Sequence, residues 1–242
     1  MILDTALLIA AAFGAGVLNT IAGGGTFLTF PALVFTGVPP VIANATSSVA
    51  VFPGYLGGAI GFRQELAQMN RAQLLRLSAI TLAGGLCGAL LLMVSSNAAF
   101  SVVVPFLLLG ATLAFLFGDQ IRSFAAAHSR GVTPQGAVGL FAVSLYGGYF
   151  NGGLGILLLA LFGLLGQTNL NAMNGLKNWV SALLTAIAVL IYAAGGVVLW
   201  QQALMMMVAA TAGGYGGARV ARKLPPAVLR LGLVATGLAM SL

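Results

Sequence analysis

The stretch that decides the fold is LNTIAGGGTFLTFPAL, Leu18–Leu33, which combines three consecutive glycines with an asparagine and three threonines. It lies inside residues 5–62, which carry no charged side chain. About 20 apolar residues cross a bilayer as a helix, so this run is long enough for more than one crossing. Because each glycine lowers helix propensity, the stretch predicts a helix that breaks at Gly23, Gly24 and Gly25 within the membrane.

The composition predicts that lipid is the main solvent of the protein. Of the 242 residues, 60% are hydrophobic and only 5% are charged, whereas a soluble domain carries about 25% charged residues. Residues 131–176 and 178–218 are further long uncharged runs. We therefore predict an all-α, polytopic helical membrane protein.

The net charge of +7 does not indicate a nucleic-acid partner, because the basic residues are grouped at the ends of apolar runs. This distribution is typical of cytoplasmic loops under the positive-inside rule. The three groups are Arg63, Arg71 and Arg76; Arg122 and Arg130; and Arg219, Arg222, Lys223 and Arg230.

These groups predict the path of the chain across the membrane. Residues 77–94 leave the cytoplasm and 98–118 return, whereas 203–218 enter from outside and 227–242 go back out. The neutral link 195–202 is then external. The segment between the cytoplasmic Arg130 and this external link must cross the membrane an odd number of times. If the segment before Arg63 also crosses an odd number of times, the two halves have opposite orientations. That is an inverted-topology repeat, common in secondary transporters.

The predicted organisation is a first membrane repeat at 1–118, a cytoplasmic linker at 119–132 and a second membrane repeat at 133–242. Asn19 aligns with Asn151 in the second repeat, although glycine-rich apolar sequence can also align by chance. The segments 26–35 and 154–165 are short for a full crossing. We expect them to be re-entrant or broken at the repeat interface. The expected architecture lies between six full helices with two re-entrant pairs and ten thin helices.

The glycine break predicts a place where substrate binds. Backbone groups freed by a break must be buried in protein or line a cavity, and a half-helix that starts there directs N–H groups toward an anion. Tight helix crossing alone is the alternative. A nucleotide site is excluded, since GGGT lacks the lysine of a phosphate-binding loop. The candidate residues are Asn19, Thr20, Gly23, Gly24, Gly25 and Thr26.

A second polar cluster, ANATSSV, follows the turn at Pro39 and Pro40. Its amide and hydroxyl groups suit a substrate site, but N-capping and hydroxyls bonded to the helix backbone explain them equally well. The candidate residues are Asn44, Thr46, Ser47 and Ser48.

The corresponding region of the second half, NAMNGLKNWVSAL, contains Lys177, which aligns with Ser48. A cation close to a membrane segment is a candidate functional residue. The alternative is a positive-inside flanking residue beside an interfacial Trp179, and the two roles are compatible. The candidate residues of this half are Asn151, Gly152, Gly153, Asn174, Lys177 and Asn178.

Catalysis is disfavoured, because acidic residues occur only at Asp4, Glu65 and Asp119 and the single histidine is His128. None of these is placed within a membrane segment to relay protons or hold a sodium ion. We expect no metal site, no cofactor and no enzymatic activity.

Glycine pairs four residues apart predict close helix packing in lipid. They are Gly54 with Gly58, Gly57 with Gly61, Gly84 with Gly88, and Gly213 with Gly217.

The stretch NTIAGGGTFLTFPALVFTGVPPVIANATSSVAV, followed by a helix that ends in GFRQ, resembles the sulfite exporter TauE/SafE family of membrane proteins. GGYFNGGLGILLLALFGLLG and NGLKNWVSAL are similar to the family's second repeat, although Leu154 and Ile156 stand where further glycines are expected. The resemblance covers essentially the whole chain. It places the glycine break and the cluster at Asn44 in the family's two signatures, with Asn151 and Lys177 among their repeat partners.

The resemblance implies export of a small sulfur oxyanion or organosulfonate across the bacterial cytoplasmic (inner) membrane by alternating access. The expected partners are a small anionic substrate and membrane lipid, and a homodimer is an assembly left open. Two alternatives remain at this point: an uptake carrier for another small solute, and a non-transporting membrane assembly subunit.

Overall fold

The computed structural model describes residues 2–21, 23–117, 120, 123–124 and 134–220. Over these residues the chain forms helices joined by short turns, as the all-α prediction requires. The helices are α1 (Ile2–Ile21), α2 (Thr26–Phe35), α3 (Pro40–Gly61), α4 (Arg63–Ala67), α5 (Arg71–Val94), α6 (Asn97–Leu116), α7 (Pro134–Tyr149), α8 (Leu154–Leu164), α9 (Leu170–Ala194) and α10 (Trp200–Val220). Arg122, Arg130, Arg222, Lys223, Arg230, the predicted helix at 227–242 and most of the predicted linker lie outside the described residues.

Three of the described helices are long and apolar enough to cross a membrane. The spans are Ile2–Asn19, Arg71–Val94 and Leu170–Ala194. By contrast, α2 has 10 residues and α8 has 11, so each is about 15 Å long, half the thickness of the hydrocarbon core. The two short segments are therefore too short for a full crossing, as expected from the sequence.

Glycines with a positive φ lie at both predicted breaks. Gly23, with φ +76°, follows α1, and Gly153, with φ +67°, precedes α8. This left-handed backbone conformation costs other residues free energy, and glycine adopts it without steric conflict. Consecutive glycines thus end one helix and allow the chain to turn into a second, short one.

The centre of the fold is an antiparallel pair, α3 and α9. Gly175, near the start of α9, packs against Phe62, just after the end of α3. At the opposite end, the Leu199 N–H beyond α9 donates to Thr46 Oγ1 near the start of α3, at 3.1 Å. Helix α10 packs on α3 and contacts α1, while α5 packs on α9 and contacts α7.

The outer helix pairs are held at backbone contact by glycines. A Cβ atom on Gly88 of α5 would overlap the Leu145 carbonyl oxygen of α7, and one on Gly213 of α10 would overlap that of Phe13 in α1. This confirms the close packing predicted for the pairs that contain Gly88 and Gly213. Gly57 and Gly61 differ, because no atom of the described residues lies within 4 Å of a Cβ position on either. For that pair the prediction of close packing was wrong.

Three turns of the fold, after α2, α8 and α9, have the same backbone geometry. After α2, the N–H groups of Thr36, Gly37 and Val38 bond to the carbonyls of Ala32, Val34 and Leu33. The same pattern recurs at residues 165–167 after α8 and at residues 195–197 after α9. The central glycines of the three turns, Gly37, Gly166 and Gly196, have φ angles of +86°, +83° and +68°. Glycine thus ends each of these helices with the same left-handed turn.

Both long helices contain a side-chain bond to the carbonyl four residues earlier. Ser48 Oγ donates to the Asn44 carbonyl at 2.9 Å, and Asn178 Nδ2 donates to the Asn174 carbonyl at 3.0 Å. Such bonds also occur at Ser78 in α5 and at Thr211 in α10, so they do not fix a register between the two helices. The alignment of Lys177 with Ser48 stays a prediction.

Candidate functional site

A cavity of about 640 Å³ lies between α1, α3, α9 and α10. It adjoins the end of the central pair where α3 finishes and α9 begins. Four of the predicted site residues line it: Asn19, Asn174, Lys177 and Asn178. The other lining residues are Gly16, Val51, Pro53, Gly54, Tyr55, Gly57, Gly58, Phe62, Ala210, Thr211, Gly214 and Tyr215.

Lys177 is the charged residue of the cavity lining, and it is only 4% exposed. Helix α9 begins at Leu170, where the side chain of the N-cap residue Asn169 accepts the N–H groups of Asn171 and Ala172. Lys177 therefore lies about two turns inside the helix, and not in its flanking turn. None of the described residues that line the cavity is acidic.

A buried ammonium group without a counter-charge is costly, because desolvation disfavours the charged form. An anion in the cavity would supply the missing charge. The electrostatics of the described lining therefore favour an anionic ligand.

Asn178 is positioned beside Lys177 by its own helix and by a glycine on α3. Its Nδ2 donates to the Asn174 carbonyl at 3.0 Å. On the facing helix, a Cβ atom on Gly58 would lie 2.5 Å from Asn178 Cγ. The absence of a side chain at Gly58 thus makes room for this amide in the cavity wall.

Asn19 links the cavity to the first helix break. Its Oδ1 accepts the Gly25 N–H at 2.9 Å, which satisfies a backbone donor freed by the break. Its Nδ2 lies 3.7 Å from the Cβ position of Gly54 on α3. The last turns of α1 are therefore fixed to the break on one side and form the cavity wall on the other.

The remaining residues of the first break are buried behind this wall. Gly23, Gly24, Gly25 and Thr26 are all buried, and Thr26 Oγ1 has no hydrogen-bond partner within the described structure. Thr20 lies in the last turn of α1, and its side chain is outside the described part of the molecule.

The second break is held in place by Asn151. Its Oδ1 accepts the Tyr55 hydroxyl at 3.3 Å, and its Nδ2 donates to Thr185 Oγ1 at 3.2 Å. Asn151 thereby connects α3 to α9. Gly152 offers its carbonyl oxygen to the Tyr146 hydroxyl, and Gly153 makes the left-handed turn into α8.

The polar cluster at the start of α3 does not line the cavity. Asn44 Nδ2 donates to the Tyr149 carbonyl at 2.8 Å, and Ser47 Oγ lies 2.6 Å from Thr29 Oγ1. Thr46 accepts the Leu199 N–H described above. The cluster thus braces α3 against α7, α2 and the turn before α10, and its role in binding stays a prediction.

Three lining residues with hydroxyl groups were missed by the sequence analysis: Tyr55, Thr211 and Tyr215. Tyr55 could have been recognised as a candidate from the sequence, since a tyrosine within PGYLGG interrupts an otherwise apolar, glycine-rich run. Thr211 and Tyr215 lie on α10, one turn apart, and reach the cavity only because α10 packs along α3.

A profile of the sulfite exporter TauE/SafE family matches residues 8–242. The chain belongs to this family. It is 31% identical over 162 residues to a Haemophilus influenzae protein named "Probable membrane transporter protein", a match over 66% of this chain and 63% of the relative. It is 31% identical over 175 residues to "Probable membrane transporter protein ORF9" of a Sinorhizobium species, over 67% and 64% respectively.

The Escherichia coli K12 protein named "Probable membrane transporter protein YfcA" is 29% identical over 136 residues, or 56% of this chain and 50% of the relative. The chain thus spans less than two thirds of each of these relatives. No solved structure shows significant similarity. Membership of the TauE/SafE family, together with the apolar helices, identifies a multi-pass membrane protein of a transporter family.

Proposed function

We propose that this TauE/SafE protein is a secondary transporter that exports a small anion, a sulfur oxyanion or an organosulfonate, across the bacterial cytoplasmic membrane. The observation that carries the proposal is the buried Lys177 ammonium, which faces a cavity without a described acidic neighbour. The amides of Asn19, Asn174 and Asn178 border the same space and add hydrogen-bond donors suited to oxyanions. The binding site is thus built from one cation and neutral amides.

The proposed architecture is a pair of inverted-topology repeats. The antiparallel packing of α3 and α9 supports it. The helix contacts support it too, since exchange of α1 with α7, α3 with α9 and α5 with α10 relates the main packing pairs to one another. Transporters of this kind bind substrate at the repeat interface.

The proposed mechanism is alternating access around the α3–α9 pair. In the proposed repeat, with α3 matched to α9 from their first residues, Gly58 and Phe62 of the cavity pair with Ala188 and Tyr192, which are only 2% and 1% exposed. The Tyr192 hydroxyl donates to the Gly148 carbonyl. The space near the end of α9 that would match the cavity is therefore filled by side chains and closed by this hydrogen bond. We therefore assign the structure to the state that is open toward the end carrying Arg63, the end proposed to face the cytoplasm.

The test is a ligand screen on purified protein. Sulfite, sulfate and short alkyl sulfonates are added separately, and the thermal midpoint is compared with that in chloride and in matched neutral solutes. Anions are expected to stabilise the protein in a concentration-dependent manner, since a ligand that binds only the folded state raises its stability. If neutral solutes stabilise it and anions do not, the proposed substrate class is wrong.

A further inference from the structure

A second hollow of about 480 Å³ lies on the opposite face of the α3 end from the polar cavity. Its walls come from the last turns of α3, from α4, from the start of α5 and from α9. Leu56 and Ile60 of α3 are 41% and 63% exposed, and Ala182 and Ala186 of α9 contribute short side chains to the lining. We call this hollow the apolar groove.

Two arginines lie at one end of the apolar groove. Arg63 is the first residue of α4 and Arg71 is the first residue of α5, and both belong to the lining with exposed side chains. No acidic residue is among the described residues of the lining. The groove therefore combines an apolar channel with a doubly positive end.

The apolar part runs along two helices away from the arginines. Trp179 and Ala186 of α9 both line it, and seven residues of helix span about 10 Å. The indole of Trp179 is fixed, because its Nε1 donates to Ser78 Oγ at 2.9 Å. The groove is thus an elongated apolar surface with one rigid aromatic wall.

We propose that the apolar groove is a binding site for one anionic phospholipid of the cytoplasmic leaflet. An acyl chain would lie along Leu56, Ile60 and Ala186, and the phosphate would lie between Arg63 and Arg71. Charge complementarity selects this occupant, because basic pockets between membrane helices on the cytoplasmic side bind anionic headgroups. Guanidinium groups also match phosphate oxygens in geometry.

The location gives this lipid a route to influence the polar cavity. Ala59 of α3 and Trp179 of α9 face the groove, whereas the neighbouring Gly58 and Asn178 face the cavity. Occupancy of the groove would therefore support the outer side of both helices that form the cavity wall. The binding inference does not rest on the proposed function, since lipid binding is measured without transport.

The experiment is native mass spectrometry of the detergent-solubilised protein with phosphatidylglycerol or phosphatidylcholine, combined with lipid-dependent thermal shifts. Wild type is expected to retain one phosphatidylglycerol preferentially. Arg63→Gln with Arg71→Gln should reduce that adduct at least tenfold. Arg76→Gln is the matched control, because Arg76 is on α5 but lines a separate hollow, and it should bind as wild type does.

A second pair of variants tests the acyl-chain path with both arginines intact. Ala186→Phe fills the groove and should reduce the phosphatidylglycerol adduct, whereas Leu190→Phe, at an exposed position of the same helix, should not. Inorganic phosphate is tested on Lys177→Met, so that the polar cavity does not contribute, and there it should give no thermal shift. The proposal is overturned by equal retention of the two lipids, by an unchanged adduct in the double arginine variant, or by a phosphate shift in Lys177→Met equal to that of the lipid.

Discussion

Gly23 and Gly155 touch where the two helix breaks meet: a Cβ atom on Gly23 would lie 3.0 Å from the Gly155 Cα. Gly23 also has a φ of +76°, so two separate requirements make glycine necessary here. At this point the first half of the chain contacts the second through backbone atoms, behind the wall of the polar cavity.

Replacement of Gly23 separates these two requirements. Gly23→Ala should lower the free energy of unfolding by more than Gly37→Ala. Gly37 has a similar φ of +86°, but within the described part of the chain no atom lies within 4 Å of its Cβ position. The left-handed backbone conformation costs alanine about 1–2 kcal/mol in either variant. Only Gly23→Ala adds a steric clash, between the new Cβ atom and the Gly155 Cα. Thermal denaturation in detergent measures both, and equal losses would show that the Gly23–Gly155 contact carries no energy.

Lys177→Met tests the buried cation. The methionine keeps most of the apolar stem and removes the charge, so anion-dependent stabilisation should fall at least tenfold in apparent affinity. Without ligand, the variant should be as stable as wild type or more stable, because removal of an unpaired buried charge relieves its desolvation cost. Thermal shifts with and without sulfite measure both effects. Undiminished anion binding by Lys177→Met would contradict the assignment of this residue.

Gly58 and Gly61 of α3 provide a matched pair for the role of Asn178. A Cβ atom on Gly58 would lie 2.5 Å from Asn178 Cγ, whereas no described atom lies within 4 Å of that position on Gly61, which is not in the cavity lining. Gly58→Ala should therefore displace the amide and weaken anion binding about tenfold, a loss of about 1.4 kcal/mol. Gly61→Ala should have little effect. Titration by isothermal calorimetry compares them, and identical affinities would argue against a ligand role for Asn178.

Asn151 should contribute to stability through both of its side-chain bonds. Asn151→Ala leaves the buried Tyr55 and Thr185 hydroxyls without this partner. Side-chain hydrogen bonds within membrane proteins contribute about 0.6 kcal/mol each on average, so a loss of about 1–2 kcal/mol is expected. Tyr55→Phe removes one of the two bonds and should cost less. Chemical denaturation compares the losses in free energy of unfolding of the two variants. A larger loss for Tyr55→Phe would show that Asn151 is not the residue that connects α3 to α9.

Export should be driven by the membrane potential without a coupling ion. A potential of 100 mV, negative inside, contributes about 2.3 kcal/mol per negative charge, equivalent to about a 50-fold concentration ratio for a monovalent anion. Proteoliposomes with a potassium diffusion potential and no proton or sodium gradient should therefore move the anion outward. Flux that requires either gradient and ignores the potential would rule out this mechanism.

Much of the fold follows from local properties of the sequence. The glycines at 23–25 predicted the first break because helix propensity is a property of each residue, and α2 begins at Thr26 as expected. Hydropathy likewise predicted the all-α class, since apolar runs longer than a bilayer leave few alternatives. The position of Lys177 was recognised for the same reason, as a single cation in a long uncharged run.

The composition of the site required the tertiary structure. Asn44 and Asn174 are each the fifth residue of a long helix, yet of these two only Asn174 lines the cavity. The difference arises because α3 and α9 are antiparallel, so their first turns lie at opposite ends of the pair. Packing alone also brought Tyr55 and Thr211 to the cavity. Sequence determined where the chain breaks and where its charge lies, and helix packing decided which side chains share a space.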